Sequence, residues 1–541
     1  MAAVAMTIVG FAGGPLRVAA DEPSSPSRPN ILLIYTDDHS YKTLSCYADA
    51  FEFAHTPNID ALASQGVRFH RAYMGAWCMP SRASFLTGRL QHGVATMRMR
   101  GQYPGSTYDP KACRFWPSVL RGSGYHTAQI GKWHTGDDAG YGRDWDFQMV
   151  WNRPAHPENA GNYFYDQIVT VNGEDQQIDG YSTDNYTRWA LDYIRGQTRP
   201  KNQPWYLWLC YSAVHGPTTP ADRHRGKLSS ISPVQPADMF GPWTDKPSFL
   251  ERTSAWMPGE DGVARRRARN LPKSNFDSND GGKRYDDWIA QYNECVLAID
   301  EGVGQLVEAL RETGQADHTL IVFTADQGFA LGEHGLNQKI AAYDAAVASP
   351  LIVVWPGKVR GGGFCRHAVN APDVVRMMCD AAQIEVPWKM HGRDIRPLID
   401  DPDRDDWTSP MLMTHTARSY GEDTDVVPTD DALTVTGNVP WYAMLRDGKY
   451  KYVRTLEAGQ PEELYDLDAD PEELVNLARS PAMAAFVKQL RQKTIAELEN
   501  TDAGFASRMP PVKMLPGEVL FGETESDKTL PGGSPAPSRS R

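Results

Sequence analysis

Four apolar, strand-like runs in this chain end directly in charged or polar residues, and that pairing constrains the fold more than any other feature. Ile31–Tyr35 leads to Asp37-Asp38, His126–Ile130 to Lys132-Trp133-His134, Trp205–Tyr211 to His215, and Leu320–Phe323 to Asp326-Gln327. Ile31–Tyr35 is too short for a helix and apolar without alternation, the pattern of a strand buried on both faces. Between the runs lie helical stretches. Ile289, Tyr292, Val296, Ile299, Val303, Leu306 and Leu310 recur at helical spacing from Tyr285 to Leu310. Thr56-Pro57, Ile59, Leu62 and Gly66 read as an N-cap, a first-turn proline, an apolar face and a glycine stop. Strands alternating with helices predict an α/β domain. In open α/β sheets ligands gather at the carboxyl ends of the strands, so the four polar ends predict one site.

The alternating pattern covers residues 30–400, with an irregular insertion rich in Pro, Ser, Asp and Arg over about 216–283, expected near the rim of the site. Its Arg265-Arg266-Arg267-Ala268-Arg269 run reads as a solvated loop, with an anionic polymer as the other reading. A smaller α+β domain is expected over 401–515. There Trp441–Leu445 and Tyr450–Arg454 flank the hairpin signal Asp447-Gly448, Glu463–Leu467 adds a strand, and Pro481–Asn500 a packed helix. Residues 516–541 read as a disordered tail. Residues 1–29 read as a signal peptide and linker, with Val18-Ala19-Ala20 before Asp21 as the cleavage site, which predicts a periplasmic or secreted protein. No later run reaches the ~18 apolar residues of a membrane helix, so no membrane span is expected. The net charge of −13 argues against nonspecific nucleic-acid binding. None of the seven cysteines is spaced as CxxC, against a zinc ribbon or a redox pair. Buried thiols and disulfides both stay open.

Asp37, Asp38, Asp326 and the amide oxygen of Gln327 would form an all-oxygen ligand set, which suits Ca²⁺, or Mg²⁺ as the alternative, better than zinc. The bland reading of Asp37-Asp38 is that they cap the following segment. The strongest signal is Cys78-Met79-Pro80-Ser81-Arg82 continuing through Leu86-Thr87-Gly88. It resembles the signature of the type I sulfatases of the alkaline-phosphatase-like superfamily, and other elements follow in order. Gly131-Lys132-Trp133-His134, Val214-His215-Gly216-Pro217, Asp326-Gln327-Gly328, Gly332-Glu333-His334-Gly335 and Glu463-Leu464-Tyr465-Asp466-Leu467 are similar to further family elements, over about Asn30 to Asn500. Two departures stand out. Gln327 replaces the usual Asn or His, and Thr135-Gly136-Asp137-Asp138 stands where Leu-Gly is common.

The resemblance implies a large mixed sheet flanked by helices with a smaller C-terminal α+β domain. It implies a sulfatase in which Cys78 is oxidised to formylglycine by a maturation enzyme that reads the motif before folding. The hydrated aldehyde at residue 78, itself a ligand of the cation with Asp37, Asp38, Asp326 and Gln327, would attack sulfur. His215, helped by Lys339, would protonate the departing sugar oxygen, and His134 would take the proton from the remaining hydroxyl. Lys132 and Arg82 would balance the charge of sulfate and diolate. A sulfated saccharide is the expected substrate. Trp145, Phe147, Trp151, Tyr163 and Tyr165 are candidates for stacking on sugar faces, with core packing as the alternative. Arg143 and Arg153 could hold a second anionic group, or simply form ion pairs. A formylglycine-dependent phosphodiesterase or phosphonate monoester hydrolase is the rival enzyme, and a noncatalytic carbohydrate-binding protein the rival from another class.

Overall fold

The structure, a computed structural model, describes residues 28–100, 105–268, 281–430 and 434–513. The tail and all but the last two residues of the expected leader and linker lie outside these. Asn30–Thr36 (β1) is buried at every position. Leu32 and Ile34 enter the core on one face, Ile31, Leu33 and Tyr35 that on the other. Each such apolar side chain contributes roughly 1.5–3 kcal/mol when fully buried, so a strand apolar on both faces belongs in the middle of a sheet.

Ten further strands complete that sheet: Val67–Tyr73 (β2), His126–Lys132 (β3), Phe147–Trp151 (β4), Tyr165–Val171 (β5), Glu174–Tyr181 (β6), Trp205–Cys210 (β7), Thr319–Ala325 (β8), Ser349–Val354 (β9), Gly363–Cys365 (β10) and Val369–Asn370 (β11). The order is β10-β2-β9-β8-β1-β7-β3-β4-β5-β6, with β11 also on β2. β8, β1, β7, β3 and β4 run parallel. β9 is antiparallel to β8 and β2, and β5 and β6 form an antiparallel pair at the far edge. The sheet is therefore mixed, and the four runs that end in polar residues are its central parallel strands.

Helices cover both faces. Pro57–Ala63 (α1), Ser182–Ile194 (α3) and Tyr285–Glu312 (α4) pack on one, Cys78–Thr87 (α2) and Ala371–Ala381 (α5) on the other. The expected capping of α1 is not what forms. The Thr56 side chain makes no cap bond, and Oγ1 donates instead to Asp60 Oδ1 at 3.1 Å. The helix ends at Ala63, before Gly66, where a Cβ would fall 2.2 Å from the Val353 carbonyl oxygen. Gly66 permits a close chain crossing and is not a helix stop.

The insertion carries a helix at Phe249–Thr253 and a short ribbon, Trp256–Met257 against Arg265–Arg266. Of its arginine run, Arg265 pairs with Asp261 at 2.9 Å, Arg266 lies over Trp288, and Arg267 Nε donates to the Trp256 carbonyl at 2.8 Å, while Arg269 lies outside the described residues.

A second, antiparallel sheet holds Met411–His415 (β12), Tyr442–Asp447 (β13), Tyr450–Thr455 (β14) and Glu462–Asp466 (β15) in that order. Ala484–Asn500 (α6) sets Val487, Leu490 and Leu498 against Leu412, Leu445 and Leu464. Beside the apolar Met413, Met444 and Val453, which join the core of the main sheet, the joint between the two sheets carries an ionic network. Asp344 meets Lys451 at 2.8 Å, Arg71 at 3.3 Å and Arg446 at 3.7 Å, and Lys451 also reaches Glu473 at 2.7 Å. Burial pushes the Asp344 carboxyl up, but Lys451, Arg446 and Arg71 together hold it below the usual range. Burial pushes Glu473 up to about 7 against the opposing pull of Lys451. All seven cysteines are free thiols. Among the described residues no helix is long and apolar enough to cross a membrane.

Candidate active site

The site lies where the sheet's topology places it, at the carboxyl ends of β8, β1, β7 and β3. Just past β1, Asp37 N donates to the Ala213 carbonyl at 3.0 Å and its own carbonyl accepts from Val214 N at 2.7 Å, so the turns after β1 and β7 are stitched together. Asp38 follows in the left-handed region, φ 55°. Its amide donates to Asp326 Oδ1 at 3.1 Å, which ties the end of β1 to that of β8. Neither aspartate caps the next element; Ser40 does that.

Cys78 is the first residue of α2, after an extended Trp77. The helix therefore begins at the cysteine, which sits at its positive end. Ser81 Oγ bonds the Trp77 carbonyl at 2.8 Å and lies 3.3 Å from Gln327 Oε1. Gly75 makes room for this first turn, since a Cβ there would stand 2.2 Å from Ser81 Oγ. Every residue of α2 is buried, and Cys78 is 1% exposed.

Around Cys78 Sγ the carboxylates and cations interleave. Sγ donates to Asp37 Oδ1 at 3.3 Å and accepts from Lys339 Nζ at 3.0 Å. Lys132 pairs with Asp37, Lys339 with Asp38 at 2.8 Å, and Arg82 with Asp326 at 3.0 Å while also donating to the Lys132 carbonyl at 2.9 Å. Gln327 Nε2 bonds Asp38 Oδ1 and lies 3.6 Å from Sγ. Single ligand atoms of Asp37, Asp38, Cys78 and Asp326 lie within 4.8 Å of one another. His215 Nε2 stands 3.6 Å from Asp38 Oδ2. All ten residues expected at the site are at these strand ends or on α2 and the loop after β8.

Electrostatics follow from burial and like charge. Burial would raise Asp37, but Lys132, His215, Lys339 and Arg82 hold it well below the carboxylate range. Asp38 is raised by burial against Lys339. Asp326 is pushed up to about 7 by burial and by Asp37. Three carboxylates so close favour a cation among them. Burial and Asp37 push the Cys78 thiol up to about 12, which favours the neutral thiol in the unmodified side chain. Burial and Lys339 drive His215 toward neutral, as burial and Lys132 do His134. His134, at φ 57°, has its Nδ1 buried with no hydrogen-bond partner among the described residues.

The sugar-stacking reading of the aromatics does not survive for Trp145, Phe147 and Trp151. Trp145 stacks on Tyr206, Phe147 on Tyr193, and Trp151 meets Tyr163 edge-on, all of them buried. Phe147 and Trp151 enter from β4 the core on one face of the sheet, and Trp145, just before the strand, enters that on the other. Tyr165 meets Tyr181 edge-on. Tyr163 lies flat against His215. Arg143 is paired with Asp138 at 2.6 Å and Asp144 at 2.8 Å. Arg153 Nε donates to the Ala160 carbonyl. Tyr292, read only as an apolar helix position, uses its hydroxyl to bond the Asp38 carbonyl and to accept from Ser40 N, and so buttresses the turn after β1. Its helical spacing carried no sign of that second task.

A mixed sheet with a buried cysteine, carboxylate and cation cluster at its carboxyl edge defines a hydrolase of the alkaline-phosphatase-like superfamily. Residues 29–374 match the Sulfatase family profile, and residues 332–501 match that of N-sulphoglucosamine sulphohydrolase, C-terminal. The chain belongs to the sulfatase family and is a sulfuric ester hydrolase. It is 27% identical over 550 residues to an N-acetylglucosamine-6-O-sulfatase of Bacteroides thetaiotaomicron, covering 93% of this chain and 91% of that one. To a choline-sulfatase of Rhizobium meliloti it is 27% identical over 483 residues, 84% and 83% of the two chains. A solved structure described as a complex with its substrate D-glucosamine-2-N,6-O-disulfate superposes with TM-score 0.72 at 25% identity, covering 88% of this chain and 99% of that one. The phosphonate monoester hydrolase of Agrobacterium radiobacter shares the fold at TM-score 0.60 and 22% identity, over 88% and 96% of the chains.

Proposed function

We propose that this sulfatase removes sulfate from a sulfated saccharide, with residue 78 as formylglycine and a divalent cation held by Asp37, Asp38, Asp326 and Gln327. The observation that carries the reading is the ring of three carboxylates and three cations around Cys78 Sγ, a buried pocket of opposed charge with a cysteine at its centre. The donor set fits a hard cation, Ca²⁺ first and Mg²⁺ second, because it is all oxygen apart from residue 78. A half-turn of the Gln327 amide would present Oε1 in place of Nε2. When bound, the cation and the hydrated aldehyde supply an activated hydroxyl aimed at sulfur.

The rest falls to the chain's own side chains. Lys132 and Arg82, both fully buried, keep positive charge beside the reacting oxygens in a water-poor site, where it is worth far more than in bulk. Lys339 stays charged: burial opposes this, but Asp38, with Asp37 behind it, outweighs it. His215 and Lys339 share Asp38 and form the proton-donating side toward the departing sugar oxygen. An incoming sulfate anion favours the protonated imidazole. His134, neutral and with a free ring nitrogen, takes a proton on the opposite side; each transfer contributes ~10²–10⁴-fold.

For the substrate, support comes from the relatives whose names specify an amino sugar sulfated at O6, so glucosamine 6-sulfate and its N-acetyl and N-sulfo forms are the first to test. The deciding experiment compares kcat/KM for these saccharides with small aryl and alkyl sulfates and with matched phosphate and phosphonate esters. Sulfate release from a saccharide is expected to be fastest. Exclusive turnover of small aryl or alkyl sulfates would overturn the saccharide assignment, and a phosphate or phosphonate preference would move the chain to the rival chemistry.

A further inference from the structure

His215 follows β7 in a loop, with 21% of its side chain exposed, and few groups grip its ring. Nδ1 lies 2.7 Å from the Gly216 carbonyl, which can only accept, so Nδ1 carries a proton and Nε2 is the atom turned toward Asp38. One local hydrogen bond and one 3.6 Å contact do not fix the plane of an imidazole. The Tyr163 ring does. It lies on the imidazole with centroids 4.1 Å apart and planes 5° from parallel. Tyr163 is itself held firmly: Trp151 meets it edge-on at 4.7 Å, Ser182 Oγ donates to its carbonyl at 2.8 Å, and it is 3% exposed. Its hydroxyl is buried without a partner among the described residues, so the side chain serves the chain through its ring and not its oxygen. A flat pair at this spacing is in van der Waals contact across the whole imidazole.

We propose that Tyr163 is a positioning residue for His215, its ring face setting the imidazole plane so that Nε2 stays aimed at the oxygen of the leaving group. This rests on the reading of His215 as a proton donor. A donor matters in proportion to how poorly a group leaves: a sugar alkoxide needs the proton, and 4-nitrophenolate does not.

The test compares kcat on glucosamine 6-sulfate and on 4-nitrophenyl sulfate for Tyr163→Leu, Tyr163→Phe and His215→Asn, each normalised to the modified fraction at residue 78 by peptide mass. Tyr163→Leu is expected to lower the sugar-to-aryl rate ratio at least about tenfold. Tyr163→Phe, which keeps the stack, restores the ratio, and His215→Asn lowers it further. Diethyl pyrocarbonate labelling mapped to His215 gives an activity-independent readout, expected to speed up several-fold in Tyr163→Leu and not in Tyr163→Phe. Tyr163→Met repeats the comparison if the leucine chain does not fold. Equal losses on both substrates in Tyr163→Leu, with His215→Asn still discriminating, would reduce Tyr163 to packing and overturn the proposal. If His215→Asn does not discriminate, the proton-donor reading fails separately. The labelling rate then decides alone: faster labelling supports the hold on the ring, and an unchanged rate overturns it.

Discussion

Lys339 Nζ stands 3.0 Å from Cys78 Sγ, brought there by a loop between β8 and β9 while the cysteine begins a helix on the opposite face of the sheet from α4. The same ammonium bonds Asp38 at 2.8 Å, so one cation joins the helix start to the end of the central strand. Replacing it by Met would leave Asp38 without its nearest positive charge and remove half of the donor side. For Lys339→Met we expect kcat on a saccharide sulfate to fall by about 10²-fold or more with the fold intact by circular dichroism. Near-normal turnover would remove Lys339 from the chemistry.

Cys78→Ala should abolish sulfate release, because no other side chain among the described residues occupies the centre of the carboxylate ring. The companion measurement is the mass of the tryptic peptide Ala72–Arg82 from protein made in its native host. An aldehyde or its hydrate is expected at position 78. An active Cys78→Ala chain would discard the mechanism.

Cation binding is expected to stabilise the folded chain, since Asp37, Asp38 and Asp326 repel one another across a few ångströms. Added Ca²⁺ should raise Tm of chelator-treated protein, and a concentration of 100 Kd corresponds to about 2.7 kcal/mol. In Asp326→Asn that rise should vanish along with bound metal measured by plasma mass spectrometry. A wild-type rise in this variant would place the cation elsewhere.

The joint between the sheets should be sensitive to the loss of Lys451, which is fully buried between Asp344 and Glu473. Lys451→Met leaves these carboxylates short of a cation, although Arg71 and Arg446 still reach Asp344. Breaking such a pair costs about 3–5 kcal/mol, and the remaining arginines favour the lower end. Urea unfolding would measure it, and a loss under about 1 kcal/mol would show that the network contributes little.

Acid should unfold the protein in a window set by buried histidines. Burial lowers His92 to about 4 and His415 to about 3, below the ~6.5 of an unfolded chain. Between those values the unfolded state binds more protons, so this stability is fully present above about pH 6.5 and drains away as pH falls. His92 also ties the turn after α2 to the second sheet and its helix, through Thr414 on β12 and Thr501 just past α6, both at 3.0 Å. A series of Tm values from pH 8 to 4.5 should be level at first and then drop. A His92→Gln, His415→Gln double variant should show a shallower drop, and an unchanged slope would assign acid lability to carboxylates instead.

The site was readable in the sequence because each of its parts sits where a local rule speaks. Asp37, Lys132 and Asp326 directly follow or end apolar strands, and Cys78 lies in a short linear motif. What could not be read depended on partners far away in sequence. Lys451 sits within an alternating strand, where a charge signals solvent, yet it faces Asp344 from over a hundred residues away. Tyr163 occupies a turn before β5 with no periodicity to mark it. Gly66 was misread because a helix stop and a close crossing both call for glycine, and only the position of Val353 distinguishes them. The hairpin at Asp447-Gly448 came through because turn chemistry is local: Gly448 has φ 58° between two strands in register.

Cys78 lies 1% exposed at the root of a wholly buried helix, beneath Asp37 and Lys339. An enzyme that oxidises this thiol would need several flanking residues drawn out as extended chain, and a finished helix offers none. If residue 78 is formylglycine, as proposed, activity would be decided by a race between modification and folding. Chains that folded first would keep Cys78 as a thiol in the same fold and would release no sulfate. The specific activity of a preparation would report the outcome of that race as much as any property of the catalyst.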